Sequence, residues 1–251
     1  MDARTLLIAR TILSSESAVE WLTVTLAMYR KAFGQAAELV LKNWLVLGTV
    51  FVYVVTLNVG AIVAGLLPIV GGFLYTLVLA ACVGSFLHLV EMMVRTSRVT
   101  FDDFKRSFGA YLWDVVGVSF LLWLFSQLAV PALLSLPQGA VIVLCAYLAI
   151  FVFANAVPEL IYVGHFSSIA LLQESYAFVL ENWIEWFPAN LIAATLVFAI
   201  WSVPVDGIIE WMQTAVIALL IYFVMVMRGL LFRELHGSSR RSRAFRHRMG
   251  A

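Results

Sequence analysis

Charged residues are scarce in this sequence. Only 12% of its 251 residues are Asp, Glu, Lys or Arg, whereas 63% are apolar or aromatic. An ordinary soluble domain has about twice that share of charge and does not bury so much apolar surface. The composition excludes such a domain and favours an all-α polytopic membrane protein, in which lipid replaces water around much of the chain.

Recognisable catalytic and cofactor-binding motifs are absent as well. The sequence has no His-Glu-x-x-His, Cys-x-x-Cys, Walker loop or Gly-x-Ser-x-Gly pattern, and its four histidines are scattered. Its two cysteines, Cys82 and Cys145, both lie in apolar stretches, where packing explains them better than a disulfide or a metal site. We therefore expect no catalytic activity, metal or cofactor.

Long uncharged stretches define the membrane spans. They cover residues 43–90, 115–158, 186–205 and 211–227. Because a spanning helix needs roughly 20 apolar residues, the first two stretches hold two spans each and the last two hold one each. Proline and glycine mark the turns that divide the longer stretches. The six predicted spans are 44–66, 71–93, 114–134, 139–160, 187–204 and 211–231.

The basic residues predict the orientation. All sixteen Lys and Arg residues precede span 1, lie between spans 2 and 3, or follow span 6. The positive-inside rule then places both termini in the cytoplasm, and we expect a plasma membrane, namely a bacterial inner membrane. Residues 161–186 are also cytoplasmic in this scheme, yet they carry three glutamates and no Lys or Arg. Acidic residues contribute little to the rule, so the six-span topology stands.

A period of about 70 residues runs through the chain. Trp44, Trp113 and Trp183 begin the odd-numbered spans at nearly equal intervals. The prolines of the following turns are Pro68, Pro137 and Pro204. Residues 41–44 and 180–183 share the pattern Leu-x-Asn-Trp. These features predict three hairpin repeats. The alternative is that interfacial tryptophans make all membrane hairpins look alike.

The repeats divide the chain into five segments. These are a cytoplasmic arm with an amphipathic helix (1–43), hairpin unit 1 (44–98), an interfacial helix with hairpin unit 2 (99–166), an interfacial helix with hairpin unit 3 (167–236), and a basic cytoplasmic tail (237–251).

Amphipathic helices are predicted before each hairpin. In the arm, Leu22, Leu26, Phe33 and other large apolar residues recur every three or four positions. This stripe is typical of a helix in the membrane surface, and the alternative is docking onto a partner subunit. The capping-box pattern Ser17-x-x-Glu20 predicts that the helix begins near residue 17. In unit 2, Thr100 followed by two aspartates predicts a capped helix start.

Two polar residues are predicted at mid-membrane depth. Asn58 and Gln127 lie at the same sequence distance after the tryptophan of their respective units. Polar side chains at this depth are costly, so they are candidates for function. A hydrogen bond between helices is one interpretation, and contact with a substrate or an ion is the other.

A charge cluster is predicted where the even-numbered spans approach the cytoplasm. Its members are His88, Glu91, Glu159 and Arg228. Glu91 and Glu159 follow the prolines of their turns at nearly the same sequence distance, so the two carboxylates occupy corresponding depths. A structural ion-pair cluster is one interpretation, and a proton or cation relay is the other.

Residues facing lipid or a partner are predicted at the interfaces. They are Trp44, Trp113 and Trp183, with the tail residues Arg240, Arg241, Arg243, Arg246 and Arg248. Each base adds about 1 kcal/mol of attraction to anionic lipid, which is the expected ligand of the tail. Binding of an acidic partner or nucleic acid is the alternative, but a single Phe among the arginines is not the aromatic interleaving that would support nucleic acid.

One family resembles this chain. The motif residues are Pro158-Glu159, Gly164, Ala170, Ser175 and Asn182-Trp183, echoed one unit earlier by Thr100 to Phe104 and Ser107. This pattern resembles the six-helix membrane domain associated with some bacterial glycerophosphodiester phosphodiesterases and its uncharacterised stand-alone relatives. Glu181 departs from it, since a basic residue is usual there. The resemblance implies a six-helix fold over residues 30–235 and implies no reaction.

The sequence favours a non-catalytic membrane scaffold or accessory subunit that packs against other membrane proteins. The alternative is a small-substrate or ion transporter that uses Asn58 and Gln127 as a polar mid-membrane site. An odd number of parallel units favours the first, because alternating access commonly uses a pair of inverted repeats. A membrane-embedded enzyme is a third and weaker possibility.

Overall fold

The computed structural model describes residues 3–67, 70–166 and 168–238, with residues 242, 243, 245 and 249 of the tail; for residues 3–18, 20 and 168 it describes the backbone alone. All regular structure in these ranges is helical. Six segments are long and apolar enough to cross a membrane, which confirms the expected all-α, multi-pass membrane fold. They are Trp44–Gly65, Gly71–Thr96, Leu112–Leu134, Gly139–Gly164, Ile169–Trp201 and Ile208–Leu235.

Ten α-helices are distinguished in the described ranges. They are α1 (Ala3–Lys42), α2 (Gly48–Gly65), α3 (Gly71–Thr96), α4 (Phe101–Ser107), α5 (Leu112–Leu124), α6 (Val130–Leu134), α7 (Gly139–Phe153), α8 (Val157–Glu159), α9 (Ser168–Trp201) and α10 (Ile208–Leu235). A 3₁₀ turn, Trp44–Leu47, precedes α2. The π-helical turns Phe125–Ala129 and Leu160–Gly164 follow α5 and α8.

The first helix is longer than the sequence pattern indicated. α1 begins at Ala3, so the predicted start near residue 17 was wrong and Ser17 lies inside the helix. No glycine or proline occurs before Gly34. Nothing in the local sequence therefore interrupts the helix upstream of the capping-box pattern.

The face that α1 turns toward the bundle is lined by small residues. Ala32, Ala36 and Val40 are buried, and α1 packs along α10. Small side chains let two helices approach closely. By contrast, Leu22 and Leu26 of the predicted apolar stripe are exposed. Phe33 of the same stripe packs against Phe223 of α10, so the stripe lies beside the packing face of α1 and is exposed only in part.

Three helix breaks have almost the same backbone geometry. Asn43 has φ −109° and ψ 30°, Tyr111 has φ −124° and ψ 19°, and Asn182 has φ −119° and ψ 15°. In both asparagines the side-chain amide donates to the carbonyl four residues earlier, that of Leu39 or Phe178. Each break lies one or two residues before an interfacial tryptophan and redirects the chain into a span.

The start of α4 is capped as the sequence predicted. Thr100 accepts a hydrogen bond from the Asp103 backbone N–H, and the Asp103 carboxylate accepts one from the Thr100 backbone N–H at 2.8 Å. This reciprocal arrangement satisfies two amide groups that the first turn of a helix leaves unpaired. The cap places Ser107 and Tyr111 beside α3.

The core lies around α3 and α10, which carry more buried residues than the other spans. Hydroxyl groups join the helices there. Tyr53 bonds Ser85 at 2.8 Å, Ser85 bonds Ser107 at 2.5 Å, and Thr49 bonds Tyr222 at 2.7 Å. These bonds tie α2, α3, α4 and α10 together.

The turns between paired spans bring backbone atoms close together. A Cβ at Gly71 would lie 2.0 Å from the Ala64 carbonyl oxygen, and one at Gly139 would lie 2.3 Å from that of Leu133. Glycine is therefore required at both turns. Pro68 of the first turn lies outside the described residues. Cys82 is buried and Cys145 exposed, and both are free thiols.

Candidate functional site: buried carboxylate clusters

The four residues of the predicted charge cluster lie in two separate groups. His88 and Glu91 project from α3, whereas Glu159 ends α8 and Arg228 lies in α10. Within the described residues, no ion pair joins the two groups. Each carboxylate is instead matched by its own set of partners.

Glu91 is 5% exposed and is surrounded by donors. Tyr111 donates to its Oε2 at 2.5 Å, and His88 Nδ1 lies 3.4 Å from the same oxygen. Arg95 Nε lies 3.3 Å from Oε1, and His165 Nε2 lies 3.8 Å from it. Arg95 and His165 also contact each other. The cluster therefore joins α3 to the break before α5 and to the end of the second π-helical turn.

Helical spacing explains half of this cluster. His88, Glu91 and Arg95 are separated by three and four residues and share one face of α3. Tyr111 is the residue at the helix break before α5, and it contacts Glu91 from outside α3. Burial raises the pKa of Tyr111, and the negative charge of Glu91 raises it further. The phenol therefore stays protonated at neutral pH and acts as a hydrogen-bond donor to Glu91.

Glu159 and Arg228 form a second, desolvated pair. Arg228 Nε donates to Oε1 of Glu159 at 2.8 Å, and its Nη2 donates to Oε2 at 2.8 Å. Nη2 also donates to the Asn155 carbonyl oxygen at 2.6 Å. Glu159 is 0% exposed, and the guanidinium carbon lies 4.9 Å from the ring centre of Trp186. Bidentate geometry and the aromatic face offset the cost of burying both charges.

Side-chain amides extend this pair toward α9. Trp186 Nε1 donates to the Asn155 Oδ1 at 2.8 Å, and Asn190 Nδ2 donates to the same oxygen at 3.2 Å. Asn190 Nδ2 also donates to the Trp186 carbonyl oxygen at 3.0 Å, while its Oδ1 is buried without a partner in the described structure. The network locks α9 to α10 and to the segment between α7 and α8.

A third buried carboxylate, Glu185, lies where both termini meet α9. Trp21 Nε1 donates to its Oε1 at 2.9 Å, and Arg243 Nη2 lies 3.5 Å from that oxygen. Tyr29 donates to the Glu185 backbone carbonyl at 2.5 Å. Burial raises the pKa of Tyr29, and the charge of Glu185 raises it further. Glu185 thereby holds α1 and the tail against the third hairpin.

These contacts explain why residues 161–186 carry acidic residues without Lys or Arg. Glu185 meets Arg243, and Glu174 Oε1 lies 3.1 Å from His236 Nε2. The complementary bases come from the end of α10 and the tail. Glu174 and Glu185 are therefore paired through tertiary contacts rather than by Lys or Arg of their own segment.

Asn58 and Gln127 are not brought together. Both are exposed on the outer surface of their helices. Asn58 Nδ2 donates to the Val54 carbonyl oxygen of its own helix at 2.7 Å. Gln127 lies in the π-helical turn Phe125–Ala129, and no hydrogen bond to its side chain occurs among the described residues.

The three tryptophans predicted at the interfaces lie on the surface of the chain, at 64%, 74% and 56% exposure for Trp44, Trp113 and Trp183. Arg243 is instead 7% exposed, so it faces Glu185 rather than lipid. The other four arginines assigned to lipid or a partner, Arg240, Arg241, Arg246 and Arg248, lie outside the described residues.

Sequence reasoning missed several members of these clusters. Nothing in the sequence singled out Asn155, Glu185 was one of three glutamates in its segment, and His165 was one of four scattered histidines. Trp186 lies one helical turn after Trp183, which is a signal that was present in the sequence. The contacts of Asn155 and His165 depend on how separate spans pack, and nothing local marks them.

No group of three or more His, Cys, Asp or Glu side chains in the described part of the chain is placed to hold a metal ion. The clusters join helices to each other through groups that are already paired. Comparison of this chain with family models, with curated proteins and with solved structures found no match.

Proposed function

We propose that this protein is a non-catalytic membrane scaffold or accessory subunit that binds another membrane protein through span 3. The observation that carries this proposal is the exposure of that span. None of the residues of Leu112–Leu134 is buried, whereas α3 and α10 bury several large side chains each. Span 3 packs against the core through partly buried residues such as Val115 and Val118, and its other faces include exposed residues that a partner can reach.

Gln127 supports a protein rather than lipid on this surface. It lies just past the middle of Leu112–Leu134 and is exposed. Hydrocarbon offers an amide no hydrogen bonds, and an unpaired polar group there costs several kcal/mol. A side chain or backbone group of a partner helix would satisfy it, as polar residues do between membrane helices.

Gln127 lies within the π-helical turn Phe125–Ala129. A π-turn shifts the helical hydrogen-bond pattern and is common at functional positions. We take the turn and the glutamine together as the centre of the partner surface.

The buried charges also favour a scaffold over a transporter. Glu91, Glu159 and Glu185 each have cationic partners within 4 Å. A transport site needs polar groups that face a substrate, whereas Asn58 and Gln127 face outward. The transporter hypothesis therefore has less support than it had from the sequence.

Three hairpin repeats with interfacial helices, and a cytoplasmic location of both termini, are part of the same proposal. The matching helix breaks at Asn43, Tyr111 and Asn182 support the repeat. The exposed apolar stripe of α1 supports a helix in the membrane surface. The distribution of Lys and Arg supports the orientation and a bacterial inner membrane.

Site-specific photo-cross-linking in native membranes tests the partner surface. A photoreactive residue would replace Trp123 or Leu128 of span 3, and Val55 or Ile62 of span 1 would serve as matched exposed controls. We expect one discrete protein adduct from span 3 and lipid adducts from span 1. Lipid adducts alone from both spans would contradict the proposal.

The variant Gln127→Leu separates binding from folding. Because Gln127 is exposed, its replacement should leave the thermal unfolding of this chain unchanged. The cross-link from span 3 should nevertheless weaken. Asn58→Leu is the control, since Asn58 bonds its own helix and should leave the cross-link intact.

A further inference from the structure

A cavity of about 400 Å³ lies between α1 and the end of α10. It is separate from the Glu91 and Glu159 clusters and from span 3, and it adjoins the Glu185 cluster through Arg243. Its volume is within the range of small-molecule sites. Its walls come from both helices, with Arg243 of the tail at one side.

The charged lining is mainly cationic. Lys31, Arg233 and Arg243 contribute three positive charges, and Glu234 contributes one negative charge. Arg243 is buried and is held by Glu185 and by the Ser238 carbonyl oxygen at 2.6 Å. It is thus a fixed group rather than a mobile surface arginine.

The other two bases of the lining are exposed. Arg233 Nη1 donates to the Val94 carbonyl oxygen at 2.9 Å, which anchors one edge of its guanidinium. Four further N–H groups belong to that guanidinium. Lys31 is exposed, and its ammonium forms no ion pair or hydrogen bond among the described residues.

The remaining lining is mostly apolar. Val24, Met28, Leu230 and Leu231 form an apolar wall beside the bases. The cavity lies at the end of span 6, where the chain collects many of its bases. Bases that can hold an anionic headgroup, next to an apolar wall and at the end of a span, are typical of phospholipid-binding pockets between membrane helices.

We propose that this cavity binds a phosphate-bearing anion, with the phosphate held by Lys31 and Arg233 and the apolar wall receiving the rest of the molecule. A membrane-embedded anionic phospholipid is the source that fits both halves of the cavity. A soluble phosphate would use the bases alone. This site is separate from the partner surface on span 3 and does not depend on it.

Native mass spectrometry of the full-length protein in detergent tests the site. Phosphatidylglycerol and phosphatidylcholine with the same acyl chains would be titrated in parallel, with inorganic phosphate as a third arm. We expect preferential binding of phosphatidylglycerol. The double variant Lys31→Gln/Arg233→Gln should weaken it roughly 10- to 30-fold.

Two further variants make the test specific. Arg98→Gln/Arg106→Gln removes the same charge from exposed residues outside the cavity and should leave binding unchanged. Ala27→Trp fills the cavity without changing its charge and should abolish binding of phosphatidylglycerol. Size-exclusion profiles and helical content confirm that each variant is folded.

Several results would decide against or redirect the proposal. Equal binding of the two lipids, or equal losses in both double variants, would overturn it, because diffuse surface charge would then explain the binding. Binding of inorganic phosphate that depends on Lys31 and Arg233, with no preference for phosphatidylglycerol over phosphate, would support the anion site and assign it to a soluble phosphate.

Discussion

Arg228 donates two parallel hydrogen bonds of 2.8 Å to the two carboxylate oxygens of Glu159, which is fully buried. Removal of one partner leaves an unpaired charge in the protein interior. We therefore expect Arg228→Met to lower the free energy of unfolding by about 3–5 kcal/mol. The measurement is unfolding by SDS titration in mixed micelles, followed by circular dichroism.

A double variant distinguishes a lost pair from lost packing. Arg228→Met/Glu159→Leu removes both charges and should recover much of the stability lost in the single variant. Arg98→Met, at an exposed position, should change stability by less than about 0.5 kcal/mol. If the single variant at Arg228 is as stable as the natural protein, the pair does not hold α10 to α8.

The turn glycines give a second stability test. Gly71→Ala should be strongly destabilising, because its Cβ would lie 2.0 Å from the backbone oxygen of Ala64. Gly72→Ala is the matched control, since nothing lies within 4 Å of its added Cβ. It should be neutral, or more stable by up to about 1 kcal/mol, owing to the helix propensity of alanine. Equal thermal stabilities of the two variants would contradict the close turn.

The contrast between α1 and the carboxylate clusters shows what the sequence could predict. The number of spans and the Thr100 cap depend on local composition and spacing, and they could be predicted directly. The packing face of α1 could not, because the pattern marks large apolar residues as the stripe while Ala32 and Ala36 make the close contact. Of the large residues, Leu22 and Leu26 are exposed, whereas Phe33 packs against Phe223 of α10.

The partners of the buried charges could not be predicted from the local sequence, for a related reason. The sequence identified Glu91 and Glu159 and predicted equal depths for them in their spans. It does not indicate which helices lie next to each other. His165 is far from Glu91 in the sequence, as Arg228 is from Glu159, and each pair belongs to different spans. Only the packing of the spans assigns one partner set to each carboxylate.

The α4 cap predicts a pH dependence. Hydrogen bonds from Thr100 lower the pKa of Asp103. A carboxyl with a lowered pKa in the folded state stabilises the protein above its ordinary pKa, and this contribution is lost as the pH falls through the folded-state value. Asp103→Asn should therefore be less stable than the natural protein at pH 7, and the difference should shrink at acidic pH in paired thermal melts.

The neighbouring aspartate is the control for the cap. Asp102 lies in the same first turn and only pairs with Lys105 at 3.9 Å on the surface. Asp102→Asn should change stability little at any pH, since exposed pairs contribute about 0–1 kcal/mol. A stability difference for Asp103→Asn that does not vary between pH 7 and acidic pH would contradict the assigned role of its carboxylate.

The orientation can be tested with single cysteines in a background that lacks Cys82 and Cys145. Gln173→Cys and Asp206→Cys both place a thiol at an exposed position, one on each predicted side of the membrane. We expect an impermeant maleimide to label position 206 in intact cells and position 173 only after the membrane is opened. Labelling of position 173 from outside would contradict the predicted topology, because the third unit would then have the opposite orientation.

Membership of a membrane complex is the property on which the proposed function depends. The most direct test is to extract the protein from its native membrane in mild detergent and measure the mass and composition of the intact particle. The scaffold proposal predicts a second membrane protein at a fixed integer ratio, which is lost in Gln127→Leu and retained in Asn58→Leu. A particle that contains only this chain and lipid, in several mild detergents, would contradict it.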